Sequence, residues 1–577
     1  MAIDLDQQKG SVFKVKEYMD SVSRKLALPG LSNLEAVEQE GSEAHPPLDT
    51  DTQDAKTSYS SDLLSILQRC QRRSAKGEPF WPDGLLKRIM TRDRVLESIN
   101  PHARASIDAI VPPEKMELGL SSRGLVKIYA LLSLLGKSEQ ILAFIEEGLR
   151  DEDLPLFYDG ADFLVGGQAL RCFQGWQCSE RSLFDSQQWG FVVPSLRLAP
   201  DGSPKRYNLD SRAIMPWAYD STKPVLEIPG VNGSEASKVH RITIDPDSQE
   251  LWEPLQKMGL DDTFFALKSL SPKDGDKETF RKELGLRRLS KTRHKHLVTL
   301  LASISHNGGY YLLFPYAECD LLQFWKDWHP KPPPQDMEET RWLIRQLSGL
   351  VGAMITIHKQ AQCHGNICPQ NIHCLRSSHD PRGLVVLSSY GIPSLSRAKS
   401  NPGSVSPRYW RLRDNVHGDS IPPAYDIWSL GFVFLEFITW FLGGGKLLRQ
   451  FESRWISQPP GGSTTSSTSE EDITEGHTHS LGIFQLGESA KADERSDSPH
   501  VNREAKEWLE ELQGHQNCTN FIKDTLFIIE KIMCSNFSRG LRQKAFYSGI
   551  QQEFDRLYQQ CGGDISAYPS PSGPVSS

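Results

Sequence analysis

From Ile427 to Gly443 the chain reads Ile-Trp-Ser-Leu-Gly-Phe-Val-Phe-Leu-Glu-Phe-Ile-Thr-Trp-Phe-Leu-Gly, apolar on every face a helix could present. A helix without a polar side must be surrounded, either by lipid or by a protein core large enough to enclose it. The run is close to the length of a membrane span. Glu436 interrupts it, however, and the turn-forming Pro422-Pro423-Ala424-Tyr425-Asp426 leads straight into it. The expectation is a core helix with no transmembrane segment. A chain of 577 residues is long enough for two or more domains with cores of that size.

Charge and cysteine usage narrow the class. A formal net charge of −8 gives no reason to expect a nucleic-acid partner. The ten cysteines are scattered, without a C-x-x-C pair, and the N-terminus lacks a signal-peptide pattern. Free thiols in a reducing, intracellular and cytoplasmic setting are expected.

Residues 1–60 read as a mostly disordered arm. One amphipathic helix is possible there, with Val12, Val15, Met19, Val22 and Leu26 at spacings of three and four. It could dock on a partner or an acidic membrane, but an arm on the protein's own surface is the simpler reading. Residues 61–220 form a helical to irregular N-terminal domain. Its amphipathic segments include Leu63, Leu64 and Leu67, then Leu85, Leu86, Ile89 and Met90. The strongest runs from Leu125 through Leu135, with Gly136 as C-cap, and resumes at Ile141. Residues 150–220 are rich in aromatics and turns and have no clear period. Residues 221–560 begin with short strand patterns and continue with helices. Within them, residues 457–503 are a Ser/Thr/Glu/Asp-rich insertion too polar to build a core, expected to be disordered and a phosphorylation target. Residues 561–577 are a disordered tail.

Five segments carry the chemistry, in this order. Phe265-Ala266-Leu267-Lys268 is a strand ending on a lysine, and Phe280 to Leu289 is a helical pattern containing Glu283. Leu312-Leu313-Phe314-Pro315-Tyr316-Ala317 is a strand running into a linker. Cys363-His364-Gly365-Asn366-Ile367-Cys368-Pro369-Gln370-Asn371-Ile372 is a polar loop, and Ala424-Tyr425-Asp426-Ile427-Trp428-Ser429-Leu430-Gly431 opens the apolar helix. In this order and near these spacings they resemble the eukaryotic protein kinase domain. The resemblance implies an α+β fold of two lobes, a small β-rich N-lobe and a large helical C-lobe, preceded here by the mainly helical N-terminal domain. It also implies that Lys268 holds the α- and β-phosphates of ATP, that Glu283 pairs with Lys268, and that Phe314 is the gatekeeper. The backbone of Pro315, Tyr316 and Ala317 would face the adenine, Asn371 would hold magnesium, and Asp426 would brace the catalytic loop.

The departures from that pattern fall on the phosphate side. The kinase loop reads H-R-D-L-K-P-x-N; here Asn366 stands at the catalytic Asp and Cys368 at the Lys. An amide can hydrogen-bond a hydroxyl but cannot take its proton. The glycine-rich loop is represented by Gly230, Gly233 and Ser237, with Ser237 where the last glycine belongs and Glu235 unfavourably close to any phosphate. After Leu384-Val385-Val386-Leu387 the D-F-G aspartate is replaced by Ser389, a poor ligand for a hard cation. Arg413 occupies the glutamate position that follows the activation segment, with Arg539 or Arg542 as the arginine it should pair with. Losing a general base costs on the order of 10²–10⁴ in rate, and losing a metal ligand adds to this. The clustered Cys363, His364, Cys368, His373 and Cys374 match no common zinc-finger spacing.

Within kinases the chain resembles a fungal group with an N-terminal extension, through Ile128 to Gly136, Gln188-Trp189-Gly190-Phe191 and Asp426 to Trp440. This likeness covers residues 61–560 and implies a fungal origin. The expectation is a catalytically impaired kinase-like domain, a pseudokinase, acting as an interaction or allosteric module in signalling through a protein partner. ATP would bind weakly or without magnesium, whose use is unassigned. The competing readings are an active Ser/Thr kinase with atypical metal handling and a scaffold with an empty cleft.

Overall fold

A computed structural model describes residues 62–113, 124–223, 225–228, 237–260, 262–270, 285–360, 364–365, 367–380, 382–388, 423–456, 503–534 and 541–561. The chain divides into two compact units. One comprises residues 62–194 with Ala213–Pro216, the other Ser195–Arg212 and the chain from Trp217 onward.

The first unit is built from short helices: α1 (Leu63–Arg69), α2 (Asp83–Ile89), α3 (Arg92–Ser98), α4 (Ile107–Ile110), α5 (Val126–Leu134), α6 (Ile141–Glu146) and α7 (Cys178–Gln188). Two small sheets join them, β1 (Arg72–Arg73) with β2 (Pro79–Phe80), and β3 (Phe157–Tyr158), β4 (Phe163–Val165) and β5 (Gln168–Ala169). Helix α5 is enclosed, with Ile128 to Leu132 fully buried. Its first N–H groups have no intrahelical acceptor, and the Asp151 carboxylate takes those of Lys127 and Ile128 at 3.0 and 3.1 Å. Gly136 closes it as expected, with Lys137 N–H donating back to Leu132 O at 2.8 Å. The aromatics of residues 150–220 have a definite task here. Phe163, Phe173 and Phe184 pack at centroid distances of 4.1, 5.0 and 5.2 Å. The buried Gln188 carboxamide then accepts from Leu156 N at 2.7 Å and donates to Leu156 O at 3.0 Å, replacing a missing strand partner.

The second unit has the two-lobed arrangement of a protein-kinase-like fold. Its main sheet contains β6 (Lys205–Asn208), β7 (Trp217–Tyr219), β8 (Leu226–Ile228), β9 (Ser237–Ile244), β10 (Phe265–Leu270), β11 (Ala302–His306) and β12 (Gly309–Pro315). The order is β6-β11-β12-β10-β9-β7, with β8 beside β9. Both β7 and β8 run antiparallel to β9, Trp217 opposite Ile244 and Ile228 opposite Ser237. Helix α8 (Trp252–Lys257) lies between β9 and β10 in the chain. The sheet begins earlier than the boundary read at residue 221. Strand β6 pairs in parallel with β11, and Tyr207 anchors it by donating to Ser195 O at 2.8 Å and accepting from Arg197 N at 2.9 Å. Residues 195–212 and 217–220 therefore belong with this sheet and not with the helical unit.

The larger lobe contains a small sheet of β13 (Cys319–Asp320), β14 (Ile372–Leu375) and β15 (Leu384–Leu387). Its helices are α9 (Leu321–Gln323), α10 (Met337–Lys359), α11 (Pro423–Ile456), α12 (Arg503–Gln513), α13 (Asn520–Cys534) and α14 (Leu541–Gln560). The apolar run forms the first part of α11, which bends where Gly444 leaves the helical region at φ 65°. Among the described residues this is the one helix long and apolar enough to cross a membrane, yet it is packed within protein. Its apolar side chains from Ile427 to Leu442 are at most 5 % exposed, among those of α10, α12 and α13. Each large side chain so enclosed contributes roughly 1.5–3 kcal/mol. Two indole nitrogens inside find acceptors. Trp440 Nε1 donates to His329 O at 2.7 Å and Trp508 Nε1 to Thr439 Oγ1 at 2.9 Å.

Candidate functional site

The site is organised around Asp426, at the first turn of α11 and 1 % exposed. Its carboxylate accepts from His364 N at 2.7 Å and Gly365 N at 2.7 Å, one on each oxygen, while His358 Nε2 of α10 lies 2.8 Å away. Burial pushes this carboxyl up, but the His358 hydrogen bond, the neighbouring imidazoles and the Gly365 N–H outweigh it, so the acid lies below its usual range. Asp426 is thus a buried anion whose partners include two consecutive loop amides and His358. Directly after these two amides the chain reverses at Gly365, whose φ is +73°, a region that favours glycine. His364 is buried and its Nε2 lies 2.8 Å from Ser388 O, while Ser388 N donates to Asn371 O at 2.9 Å. The loop and the end of β15 are therefore fastened together on both sides of Asn366.

Above the loop, Lys268 lies on β10 between Val239 of β9 and Leu312 of β12. It is 6 % exposed and engaged in an interaction within the fold. Side chains two apart on a strand share a face, so Lys268 and Ala266 face the same way. So do their cross-strand partners Val239, Arg241, Leu312 and Phe314. Leu312 and Phe314 pack against the large-lobe core, which puts this row on the side of the sheet facing the loop. Beyond Phe314 the chain passes through Pro315, Tyr316 and Ala317 to β13. There the Tyr316 ring lies against Arg241, whose guanidinium is 3.4 Å from the Phe264 ring centre and 5.0 Å from that of Tyr316. Asp220 holds Arg241 from behind at 3.2 Å.

Asn371 closes the short turn Pro369–Asn371, its N–H donating to Cys368 O at 3.0 Å. Cys368 faces inward at 1 % exposure, and burial pushes its thiol up to about 12. The residue at the family's lysine position is therefore an inert core thiol with no access to a ligand. Ser237 is the first residue of β9. Gly230, Gly233, Glu283, Asn366, Ser389 and Arg413 lie outside the described residues. The roles of three site residues escaped the sequence reading, although Gly365 and His373 stood in the segments it singled out. His358 and Gly365 act on Asp426 across separations of 68 and 61 residues. His373, opposite Asp320 and Val386, is held down to about 4 by burial and then by the charge of Lys268, so it is neutral at physiological pH. Only a local glycine in the loop could have signalled any of these.

This arrangement can fix the backbone of a loop beneath a sheet that carries a buried ammonium. The fold is that of a protein-kinase-like domain. Residues 257–442 match the family described as the protein kinase domain. Similar curated proteins include serine/threonine-protein kinase ksp1 of Schizosaccharomyces pombe, 27 % identical over 165 residues, which cover 28 % of this chain and 34 % of the relative. MAP3K epsilon protein kinase 1 of Brassica napus is 28 % identical over 182 residues, covering 30 % of this chain and 13 % of the relative. Serine/threonine-protein kinase SSN3 of Pyricularia oryzae is 24 % identical over 188 residues, 30 % of this chain and 36 % of the relative. The chain thus spans about a third or less of the length of these relatives.

Proposed function

We propose that the kinase-like domain is a pseudokinase of intracellular signalling, which has kept the fold and given up phosphoryl transfer. One contrast carries the reading. The Asp426 brace and its His364–Gly365 loop are complete, whereas the next residue in the chain is Asn366 and the residue after Ser388 is Ser389. With neither a general base nor an acidic metal ligand at these positions, turnover falls far below the roughly 1–100 per second of an active kinase. A nucleotide in the cleft would then act by favouring one conformation of the domain, which a protein partner reads. Lys268 would meet the phosphates of ATP and Asn371 would be the retained magnesium ligand, so binding is weak or independent of magnesium. The second reading, a Ser/Thr kinase with atypical metal handling, draws on the names of the relatives.

Thermal unfolding with ATP, with and without magnesium, separates the two. Saturation at about 100 times Kd stabilises the fold by about 2.7 kcal/mol. A shift independent of magnesium, without transfer of labelled phosphate to a generic Ser/Thr substrate, is expected. A magnesium-dependent shift together with transfer would replace the pseudokinase reading by the active one.

A further inference from the structure

The described helical segment 285–290 ends on a backbone turn whose chemistry is unusual. Arg293 N–H donates back to Ser290 O at 3.2 Å, and Arg293 itself has φ +48°. A left-handed residue at a helix end is normally glycine or asparagine, because a Cβ is strained there. The chain places an exposed arginine at this position instead. Its guanidinium lies directly over Gly202, where a Cβ would come within 1.6 Å of Nη2, so the loop opposite has no side chain to obstruct it. The turn and the clearance together place one cation over this loop.

Around it the charge is one-sided. Arg288, Lys291 and Lys295 are exposed on the same segment, and Arg197 and Arg206 on the segment that carries β6. The two segments are joined by Lys291 Nζ to Asp201 at 3.1 Å, and Arg197 reaches Glu250 at 3.9 Å. Six named cations against two carboxylates form a positive face on a chain whose net charge is −8. Both carboxylates are paired with a cation of this face. Hydrogen bonds from Ser203 and then Lys291 hold the Asp201 carboxyl well below its usual range.

We propose that this face, formed by residues 195–206 and 288–295 with Arg293 at its centre, docks an acidic peptide rich in Asp, Glu or phosphoserine. A nucleic acid or an anionic bilayer fits less well. Either would need a longer array of cations than the six named here, because a charge further away than a Debye length of about 8 Å contributes little. Single-stranded nucleic acid would also want exposed aromatic platforms, and Tyr207, the aromatic of this segment, is buried. The proposal does not depend on whether the domain transfers phosphate.

The test is fluorescence anisotropy on the full chain with a labelled peptide of alternating Ser, Asp and Glu, with and without one phosphoserine. A polyuridine oligonucleotide and phosphatidylserine vesicles serve as the other probes. Arg293→Gly relieves the backbone strain while removing the cation, so it should raise the melting temperature yet weaken peptide binding about tenfold. Lys291→Gln with Arg288→Gln should weaken it further and flatten its dependence on salt. Three results would overturn the proposal: no measurable binding to the wild type, unchanged affinity in Arg293→Gly, or tighter binding of the oligonucleotide or the vesicles than of the peptide.

Discussion

At the scale of single residues, the site depends on a few positions whose conformation or charge is forced. Gly365 is one. Its left-handed backbone turns the chain away directly after the two amides that reach Asp426, so Gly365→Ala should cost about 1–2 kcal/mol in a denaturant titration. A variant as stable as the wild type would show that the loop can present its amides another way. His296 is another. Its Nδ1 lies 2.8 Å from Val385 O, and burial holds its imidazole down to about 4. The unfolded chain takes up a proton near pH 6.5 and the folded one does not, so stability is full above that value and declines as pH falls toward 4. The loss from this residue is on the order of 3 kcal/mol over the window. Urea midpoints measured from pH 7 to pH 4.5 should fall steeply, and His296→Gln, which keeps a donor for Val385 O, should flatten the curve.

At the scale of elements, α10 shows why one helix of the larger lobe needs its glycines and another does not. A Cβ on Gly349 would lie 2.1 Å from His296 Nε2, and one on Gly352 would lie 2.8 Å from His294 Nε2. The two glycines are slots for two imidazole rings. Gly349→Ala should therefore destabilise by roughly 1–3 kcal/mol through overpacking. In α14, Gly549 has nothing within 4 Å of a Cβ, so Gly549→Ala should stabilise by about 0.5–1 kcal/mol. Equal effects from the two substitutions in thermal melts would contradict this packing account. Helix α11 and the strands β10, β12 and β15 were legible in the sequence, because each is a run of mainly apolar residues whose period or density leaves one choice. Strand β6 was not. Lys205-Arg206-Tyr207-Asn208 has one apolar side chain, and its partner β11 lies nearly a hundred residues later. A short polar strand paired that far away leaves no local pattern. The same physics hid His358, an unremarkable helical residue until α11 brings Asp426 beside it.

For the whole molecule, the sheet depends on residues that sequence patterning assigned to the other domain. A fragment starting at residue 221 would lack β6 and β7 and leave unpaired the edge of β11 and the Ile242–Ile244 end of β9. It should aggregate or unfold at a lower temperature than a fragment starting at residue 195, a comparison that light scattering and melting curves settle directly. The chain also passes between the two units more than once. It leaves the helical unit after Pro194, returns to it for Ala213–Pro216, and leaves again. In those few residues Ile214 enters a small core with Phe80 and Val193. Domains strung end to end can be traded between genes by one recombination event at the linker. Here any single breakpoint would strip one unit of part of its own interior, so the two units can be inherited only together.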